Sequence, residues 1–157
     1  MTEPDLKRVI QTLELLDREI KGLQRTRQRL FSRGPIDAAW VAGISSEPDR
    51  EDLVESFAAK FNRLQDTLGD KLLPRFFQWQ KEKALPFMDN LKRAERLGLI
   101  RSMESWLQAC NLRNKLVHEY VTDPGKFAQA LNLANALIDE LLKAKTSVQE
   151  IVESHKS

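Results

Sequence analysis

The stretch "PDLKRVIQTLELLDREIKGLQRTRQRLFSR", residues 4–33, decides the fold class of this chain. Its apolar residues recur at alternating steps of three and four, a spacing that places them along one stripe of a helix. They are Leu6, Val9, Leu13, Leu16, Ile20, Leu23 and Leu30. Only Arg27 interrupts the stripe, and the pair Gly34-Pro35 ends the pattern firmly. The sequence therefore predicts a long N-terminal helix within residues 1–34.

Similar spacing continues after a connector, residues 35–47, that holds turn residues and an apolar cluster around Trp40. We expect Ser46 or another polar residue to cap the next helix, because a side-chain oxygen can accept a free N–H at a helix start. The apolar positions of this second helix are Leu53, Phe57, Phe61, Leu64 and Leu68. Pro74 is expected to kink or end it.

Three more helices are predicted downstream. Pro86 opens a short helix that stops near Gly98, Ser102 can cap a third long helix towards Tyr120, and Pro124 restarts the chain in a last helix. The apolar positions of the last helix are Phe127, Leu131, Ala134, Ile138 and Leu141, with Val148 and Ile151 as further candidates. Alternating strand patterns are missing from the sequence. We predict an all-α bundle of four main helices plus one or two short ones.

Length and composition predict a single domain over residues 1–157. After the N-terminal helix (1–34) and the connector (35–47), the remaining helices of the bundle lie within residues 48–154. The chain is 41% hydrophobic and 31% charged, which is typical of a soluble helical protein. No apolar run approaches the roughly 20 residues that cross a bilayer, and no signal peptide is evident. A single cysteine suits a reducing cytoplasm, so we expect a cytoplasmic protein without a membrane association. The net charge of only +2 does not by itself indicate nucleic-acid binding. Any such indication must come from local clusters of basic residues.

Several kinds of chemistry find no basis in the sequence. Two distant histidines and one cysteine do not make a zinc site, and no glycine-rich phosphate loop is present, so neither a metal nor a cofactor is expected. Cys110 is expected to fill the core rather than to act as a nucleophile. His155 lies in a polar tail, where we expect an exposed spectator.

The stretch "LRNKLVHEY", residues 112–120, offers a different chemistry. His118 can exchange protons near neutral pH, and Arg113 can hold a phosphate and stabilise charge that develops on it. An acid or base beside a phosphate clamp is the minimum needed for RNA cleavage without a metal, in which the ribose 2′-hydroxyl attacks the adjacent phosphorus. The bland alternative is an ordinary helix surface, because this spacing also arises by chance.

Helix geometry constrains this hypothesis. A step of five residues rotates by about 140° and rises by about 7.5 Å, so Arg113 and His118 of one chain do not point at the same spot. Asn114 shares a face with His118, and Tyr120 shares one with Arg113. Two copies facing each other across a two-fold axis would gather both pairs in one cleft. If the motif is catalytic, a homodimer is the predicted active unit.

The fuller string resembles the R-x4-H-x-Y signature of the HepT-like branch of the HEPN superfamily, including the Arg113-Asn114 pair and the Leu-Val-His-x-Tyr ending. The preceding "AERLGLIRSMESWLQACNLRN" is also similar to these proteins. The resemblance is sharpest over residues 94–121, weaker over 53–73, and absent as an alignment over 1–47.

The resemblance implies a HEPN-like helical bundle that forms a two-fold homodimer and acts as the toxin of a toxin–antitoxin pair. Arg113 and His118 would cleave RNA as a metal-independent endoribonuclease, with Asn114 supporting the site. The usual partner is a minimal, MntA-like nucleotidyltransferase antitoxin, which would attach AMP to Tyr120. Related proteins also serve as non-catalytic, substrate-binding partners of nucleotidyltransferases, and this alternative stays open.

A basic and aromatic segment, residues 75–101, is the predicted RNA-binding region. It holds seven basic side chains against three acidic ones, beside Phe76, Phe77 and Trp79. Cations next to aromatic faces suit single-stranded RNA. The candidate RNA-binding residues are Arg75, Lys81, Lys83, Arg93 and Arg96. In the competing interpretation, the aromatic rings are buried and the lysines line a solvated face. A second basic run within residues 21–33 could flank the cleft or be a solvated helix surface.

Overall fold

A computed structural model describes residues 3–118 and 122–156 of the chain, apart from the side chains of Glu3 and His118. All regular structure in these residues is helical, and no strand occurs among them, so the all-α prediction is confirmed. The elements are α1 (Glu3–Leu30), α2 (Ala38–Ala42), a 3-10 turn (Ile44–Ser46), α3 (Pro48–Asp66), a π-helical segment (Thr67–Leu72), α4 (Leu73–Trp79), α5 (Phe87–Arg96), α6 (Met103–His118) and α7 (Pro124–Lys156). The long helices are α1, the run from α3 to α4, α6 and α7.

The apolar stripe of α1 faces the core as its spacing predicts. Five of its residues are almost fully buried, namely Val9, Leu13, Leu16, Leu23 and Leu30. Arg27, the interruption in the stripe, reaches across to α7. Its guanidinium donates to the side chain of Asn135 and pairs with the carboxylate of Asp139 at 3.2 Å. The polar residue in the stripe thus ties the first helix to the last one.

Pro74 does not end the second helix, because a π-helical segment lies directly before it. The chain is helical without interruption from Pro48 to Trp79. The N–H of Leu73 bonds to the carbonyl of Leu68, five residues back. This wider turn relieves the clash between a proline ring and the carbonyl four residues before it, which would stop an α-helix. The expected break is therefore absorbed as a local widening.

Most other helix boundaries follow the predicted signals. Gly34 and Gly98 have φ values of +94° and +76°, a left-handed conformation that glycine adopts without strain. The hydroxyl of Ser102 accepts the backbone N–H three residues on, at 3.2 Å. The predicted cap at Ser46 is wrong, because its hydroxyl donates to the backbone carbonyl three residues before it. No side chain caps the start of α3 at Glu47.

The last helix is longer and more regular than expected. It continues through the predicted polar tail to Lys156. Ile151 is 38% exposed, whereas Val152 is buried. Val152 lies four residues after the buried Val148 and therefore on the same, core-facing side of the helix. His155 is exposed, as predicted, yet its ring lies edge-on to that of Trp79 with centroids 5.2 Å apart.

The connector is docked firmly on α7. The side chain of Asn132 accepts the backbone N–H of Ile36 at 2.9 Å and donates to its carbonyl at 2.8 Å. The short helix α2 packs along α7, so that a Cβ added to Gly125 would lie 4.0 Å from the Cβ of Ala38. The end of α1, the connector and the start of α7 therefore meet at one end of the bundle. None of the helices in the described ranges combines the length and apolarity that crossing a membrane requires.

Candidate functional site around Arg113

The motif lies on the C-terminal half of α6, a helix that is continuous from Met103 to His118. Arg113 is partly exposed and Asn114 is exposed on this helix. His118 is the last residue of α6. The His118 side chain and Tyr120 lie outside the described residues. The predicted role of the tyrosine and the direction of the imidazole thus stay predictions.

Arg113 is held by a carboxylate that the sequence analysis did not identify. Its Nη1 lies 2.6 Å from Oδ1 of Asp66, and its Nη2 lies 3.2 Å from Oδ2. The two side chains are 39% and 47% exposed. The hydrogen bond to Asp66 raises the pKa of Arg113, with burial acting in the opposite direction. This bidentate contact fixes the plane of the guanidinium at the surface of the bundle.

Two close approaches establish how α6 lies against the π-helical segment. Arg113 contacts Asp66, whereas Trp106, two turns earlier on α6, lies beside Gly69. α6 therefore runs antiparallel to the end of α3 and the π-helical segment that follows it. A Cβ on Gly69 would lie 2.7 Å from Cε1 of Phe87 and 3.3 Å from Cζ3 of Trp106. Only a glycine lets these two rings come so near to the widened turn.

A small cavity lies beside the guanidinium, and we call it the Arg113 pocket. Its volume is about 120 Å³, comparable to about four water molecules at roughly 30 Å³ each. Its lining residues are Gln65, Asp66, Asp70, Phe87, Trp106, Cys110 and Arg113. One arginine, two carboxylates, a thiol and two aromatic rings thus converge where α3 gives way to the π-helical segment. Such π-helical insertions occur frequently at functional sites.

Cys110 lies in the wall of this pocket rather than within the closed core. It is half-buried, so the expectation of a core filler is wrong in that respect. Burial raises the pKa of its thiol, and the negative charges of Asp70 and Asp66 raise it further, while Arg113 lowers it. The thiol is consequently protonated at neutral pH. Because the thiolate is the nucleophile, the environment opposes a nucleophilic role.

Two buried polar side chains of this region have no hydrogen-bond partner within residues 3–118 and 122–156. They are Gln65, through both its amide nitrogen and oxygen, and Trp106, through its indole Nε1. Gln65 is 5% exposed and Trp106 is 1% exposed. Leaving a buried donor or acceptor unpaired costs about 1–3 kcal/mol. The polar groups that adjoin the Arg113 pocket are thus not arranged to maximise stability alone.

In the basic and aromatic segment the competing interpretation is confirmed, because the aromatic rings are buried and Lys81 and Lys83 are exposed. Phe76, Phe77 and Trp79 are buried at 4%, 2% and 5% exposure, so their faces are not free to stack on bases. Arg93 is also buried, with its guanidinium 4.7 Å from the ring centre of Phe77 and a hydrogen bond to the carbonyl of Lys83. The RNA-binding hypothesis for Arg93 is corrected, because a residue committed to the core cannot reach a phosphate.

The remaining candidate cations of that segment differ in exposure, and the two lysines lie far from the motif. Lys81, Lys83 and Arg96 are exposed, whereas the half-buried Arg75 donates to the hydroxyl of Thr12 at 2.7 Å. The two lysines follow α4, about 20 Å beyond Asp66 along the helical run at about 1.5 Å per residue. That direction leads away from His118. The structure therefore brings together Arg113 and the pocket residues, and leaves the two lysines at the other end.

Metal ligands do not cluster in the part of the chain that the structure describes. There, no group of three or more histidine, cysteine, aspartate or glutamate side chains could hold an ion. Comparisons with protein-family models, with curated proteins and with solved structures gave no significant match.

Proposed function

We propose that this protein is a metal-independent endoribonuclease and the toxin of a toxin–antitoxin pair, with a HEPN-like bundle that works as a two-fold homodimer. One observation carries the proposal: Arg113 is oriented at the surface by a bidentate contact with Asp66, on a continuous helix that ends at His118. An oriented guanidinium and a histidine that meet across a two-fold axis would supply what phosphodiester cleavage without a metal requires.

Arg113 would act on the phosphate. Its contact with Asp66 uses one N–H of each terminal nitrogen, and the guanidinium carries further donors that can reach a phosphate oxygen. Because Asp66 restricts the plane of the fork, less side-chain freedom is lost when a phosphate binds. Charge that builds on the non-bridging oxygens during attack is then stabilised by groups already in place.

His118 would move the protons. The 2′-hydroxyl oxygen attacks phosphorus and gives up its proton to a neutral imidazole while the new O–P bond forms. The bond from phosphorus to the 5′-oxygen breaks, and this oxygen takes a proton from an imidazolium. The products are a 2′,3′-cyclic phosphate and a 5′-hydroxyl, and no nucleophile from the protein is consumed. With two copies in one cleft, each imidazole can serve one of these transfers.

The antitoxin is proposed to be a minimal nucleotidyltransferase that transfers AMP to the hydroxyl of Tyr120. The tyrosine oxygen loses its proton to solvent and attacks the α-phosphorus of ATP, pyrophosphate leaves, and a bulky anion remains two residues after His118. Its negative charge and size would exclude an RNA phosphate from the cleft. Tyr120 would thus serve as the switch of the site rather than as part of its chemistry.

A second candidate function is a non-catalytic helical partner that presents a substrate to a nucleotidyltransferase. The observation in its favour is the same ion pair, because Asp66 neutralises much of the charge that Arg113 would offer to a phosphate. In this case the Arg113 pocket would bind without cleaving. The two candidates separate on whether the unmodified protein cuts RNA.

The decisive experiment compares RNA cleavage in EDTA by the wild type, His118→Ala and His155→Ala. Removing the acid–base group should slow cleavage by about 10²–10⁴-fold. The chain has only these two histidines, so His155→Ala, at the far end of α7, is a matched control that should keep full activity. Circular dichroism and gel filtration of each variant establish that the fold and oligomeric state are retained.

An active His118→Ala protein would overturn the nuclease proposal. A wild type that cuts no RNA, yet accepts AMP on Tyr120 from the nucleotidyltransferase encoded beside it, would favour the second candidate. Expression of the wild type should arrest growth, and co-expression of that neighbouring gene should relieve the arrest. If neither cleavage nor AMP transfer occurs, both candidates fail.

A further inference from the structure

A second cavity lies at the end of the bundle where α1 stops and α3 starts, and we call it the Trp40 pocket. Its volume is about 430 Å³, within the range of about 300–1,000 Å³ that is usual for small-molecule sites. The residues that matter here are Arg29, Arg33, Asp37, Trp40, Glu47 and Arg50. None of them belongs to the motif of α6.

The lining of the pocket includes an arginine–tryptophan pair held by several contacts, which we call the Trp40–Arg50 platform. The guanidinium of Arg50 lies over the indole of Trp40, 5.0 Å from its ring centre, and donates to the backbone carbonyl of Trp40 at 3.2 Å. Its Nε also pairs with Glu47 at 3.4 Å. Asp37 caps α2 by accepting the N–H of Trp40 at 2.8 Å. Indole rings and guanidinium groups are surfaces on which nucleobases stack.

The lining of the pocket also includes two arginines that pair with no carboxylate among the described residues. Arg29 and Arg33 are exposed, and neither forms an ion pair with any residue in the described ranges. The two acidic side chains of the pocket are engaged, Asp37 as a cap and Glu47 with Arg50. The pocket therefore combines a flat stacking face with free positive charge, which matches a planar ligand that carries phosphate.

We infer that the Trp40 pocket is an anchoring site for a nucleotide of single-stranded RNA. One base stacks on the Trp40–Arg50 platform, and the flanking phosphates are bound by Arg29 and Arg33. The inference rests on the proposed function, since it supplies the ribonuclease with a substrate contact outside its cleavage site. It also assigns a binding role to the basic end of α1, which in the alternative interpretation is only a solvated helix surface.

The helices give the axial distance between this anchor and the motif. From Arg50 to Asp66 the chain rises about 24 Å at about 1.5 Å per residue. Because α6 runs antiparallel to α3, its end at His118 lies about 7.5 Å nearer to the Trp40 pocket than Arg113 does. The remaining axial distance of roughly 16 Å corresponds to about five stacked nucleotides at about 3.4 Å each.

The test measures binding of a fluorescent single-stranded RNA of about twelve nucleotides by anisotropy, with 2′-O-methyl riboses so that cleavage cannot occur. The variant Arg29→Ala/Arg33→Ala is compared with Arg18→Ala/Arg25→Ala, a control that removes two exposed arginines of α1 outside the pocket. Loss of two phosphate contacts should reduce the slope of log K against log salt by about 1.4. The control should leave the slope unchanged.

The stacking platform has its own variants. Trp40→Ala should weaken binding by about 5- to 150-fold, which is the range for losing one stacked base. Trp40→Phe keeps an aromatic face and should retain most of the affinity. Thermal unfolding of both variants separates a lost contact from a lost fold. For dinucleotides, which are too short to bridge the two sites even when extended, cleavage should no longer depend on Arg29 and Arg33.

The outcomes distinguish this inference from the proposed function. Equal losses in the two arginine pairs overturn the anchor, as do absence of binding and a preference for duplex RNA or for an acidic peptide. Cleavage that is indifferent to the pocket variants at every RNA length overturns the anchor and leaves the nuclease intact. RNA binding that depends on Arg29, Arg33 and Trp40 without any cleavage supports the anchor and overturns the nuclease.

Discussion

Two arginines on neighbouring helices, Arg93 of α5 and Arg113 of α6, have opposite environments. Arg93 is 7% exposed, has no carboxylate partner in the described ranges, and is stabilised by the ring of Phe77 and one backbone carbonyl. Its Nη1 has no partner in those ranges. The side chain of Arg113 is 39% exposed, fixed by Asp66, and adjoins a cavity. The first arginine serves the packing of the bundle, and the second is oriented towards solvent.

The difference shows that a cation beside aromatic residues does not by itself indicate a binding surface. Arg93 stacks on Phe77 because α5 closes over α4, so the contact is internal. Around Arg113, by contrast, a closely packed glycine and a π-helical turn adjoin a cavity, and such backbone features cost stability relative to a regular helix. Proteins retain such costly features most often where a ligand or a substrate is bound.

The largest effect on stability is expected for the aromatic residues that are buried in the core. Phe77→Ala should lower the free energy of unfolding by about 3–5 kcal/mol, because it empties a site that is 2% exposed beneath Arg93. Met88→Ala, at a side chain that is 45% exposed, is the control and should stay within about 0.5 kcal/mol. Urea unfolding measures both. Equal small losses would mean that the segment is a surface after all.

A smaller loss is expected at the glycine beside the Arg113 pocket. Gly69→Ala should destabilise the protein by about 1–3 kcal/mol, since the added Cβ comes within 2.7 Å of Phe87 and 3.3 Å of Trp106. Gly22→Ala in α1 is the matched control, because only Lys60, at 3.9 Å, lies near its added Cβ. That control should stabilise by about 0.5–1 kcal/mol. A Gly69→Ala protein that unfolds thermally at the wild-type temperature or above it would contradict the close packing.

The ion pair itself should contribute little to stability. A double-mutant cycle of Asp66→Asn and Arg113→Gln should give a coupling energy of less than about 1 kcal/mol, because both side chains are more than a third exposed and water screens them. A coupling of several kcal/mol in urea unfolding would place the pair in the interior. If the pair positions Arg113, Asp66→Asn should nevertheless slow RNA cleavage measurably in the assay described above.

The smallest expected effect is a shift in the titration of Cys110. Because Asp70 raises the pKa of this thiol, Asp70→Asn should lower the midpoint of the pH dependence of alkylation by iodoacetamide. Burial is the larger cause, so the midpoint should remain above the ordinary value of 9.0. The exposed Asp89→Asn, outside the pocket, serves as the control. A midpoint that does not move would mean that Asp70 does not face the thiol.

Much of the fold was predictable because the signals are local. The stripe of α1, the glycines at positions 34 and 98 and the cap at Ser102 each depend on residues a few positions apart. The failures involve longer distances. The residues around Pro74 by themselves predict a break in the helix. The π-helical turn that accommodates this proline lies against Trp106 of a different helix.

The candidate site divides in the same way. The motif residues Arg113, Asn114 and His118, and their placement on one helix, were legible in the order of the amino acids. Asp66, 47 residues before Arg113, was not, because nothing local to an acidic helix end indicates which arginine it will meet. Helical periodicity assigns each residue to a face of its own helix. Which faces meet, which rings are buried and which charges find partners depend on the packing of all the helices, and so emerge only in the folded chain.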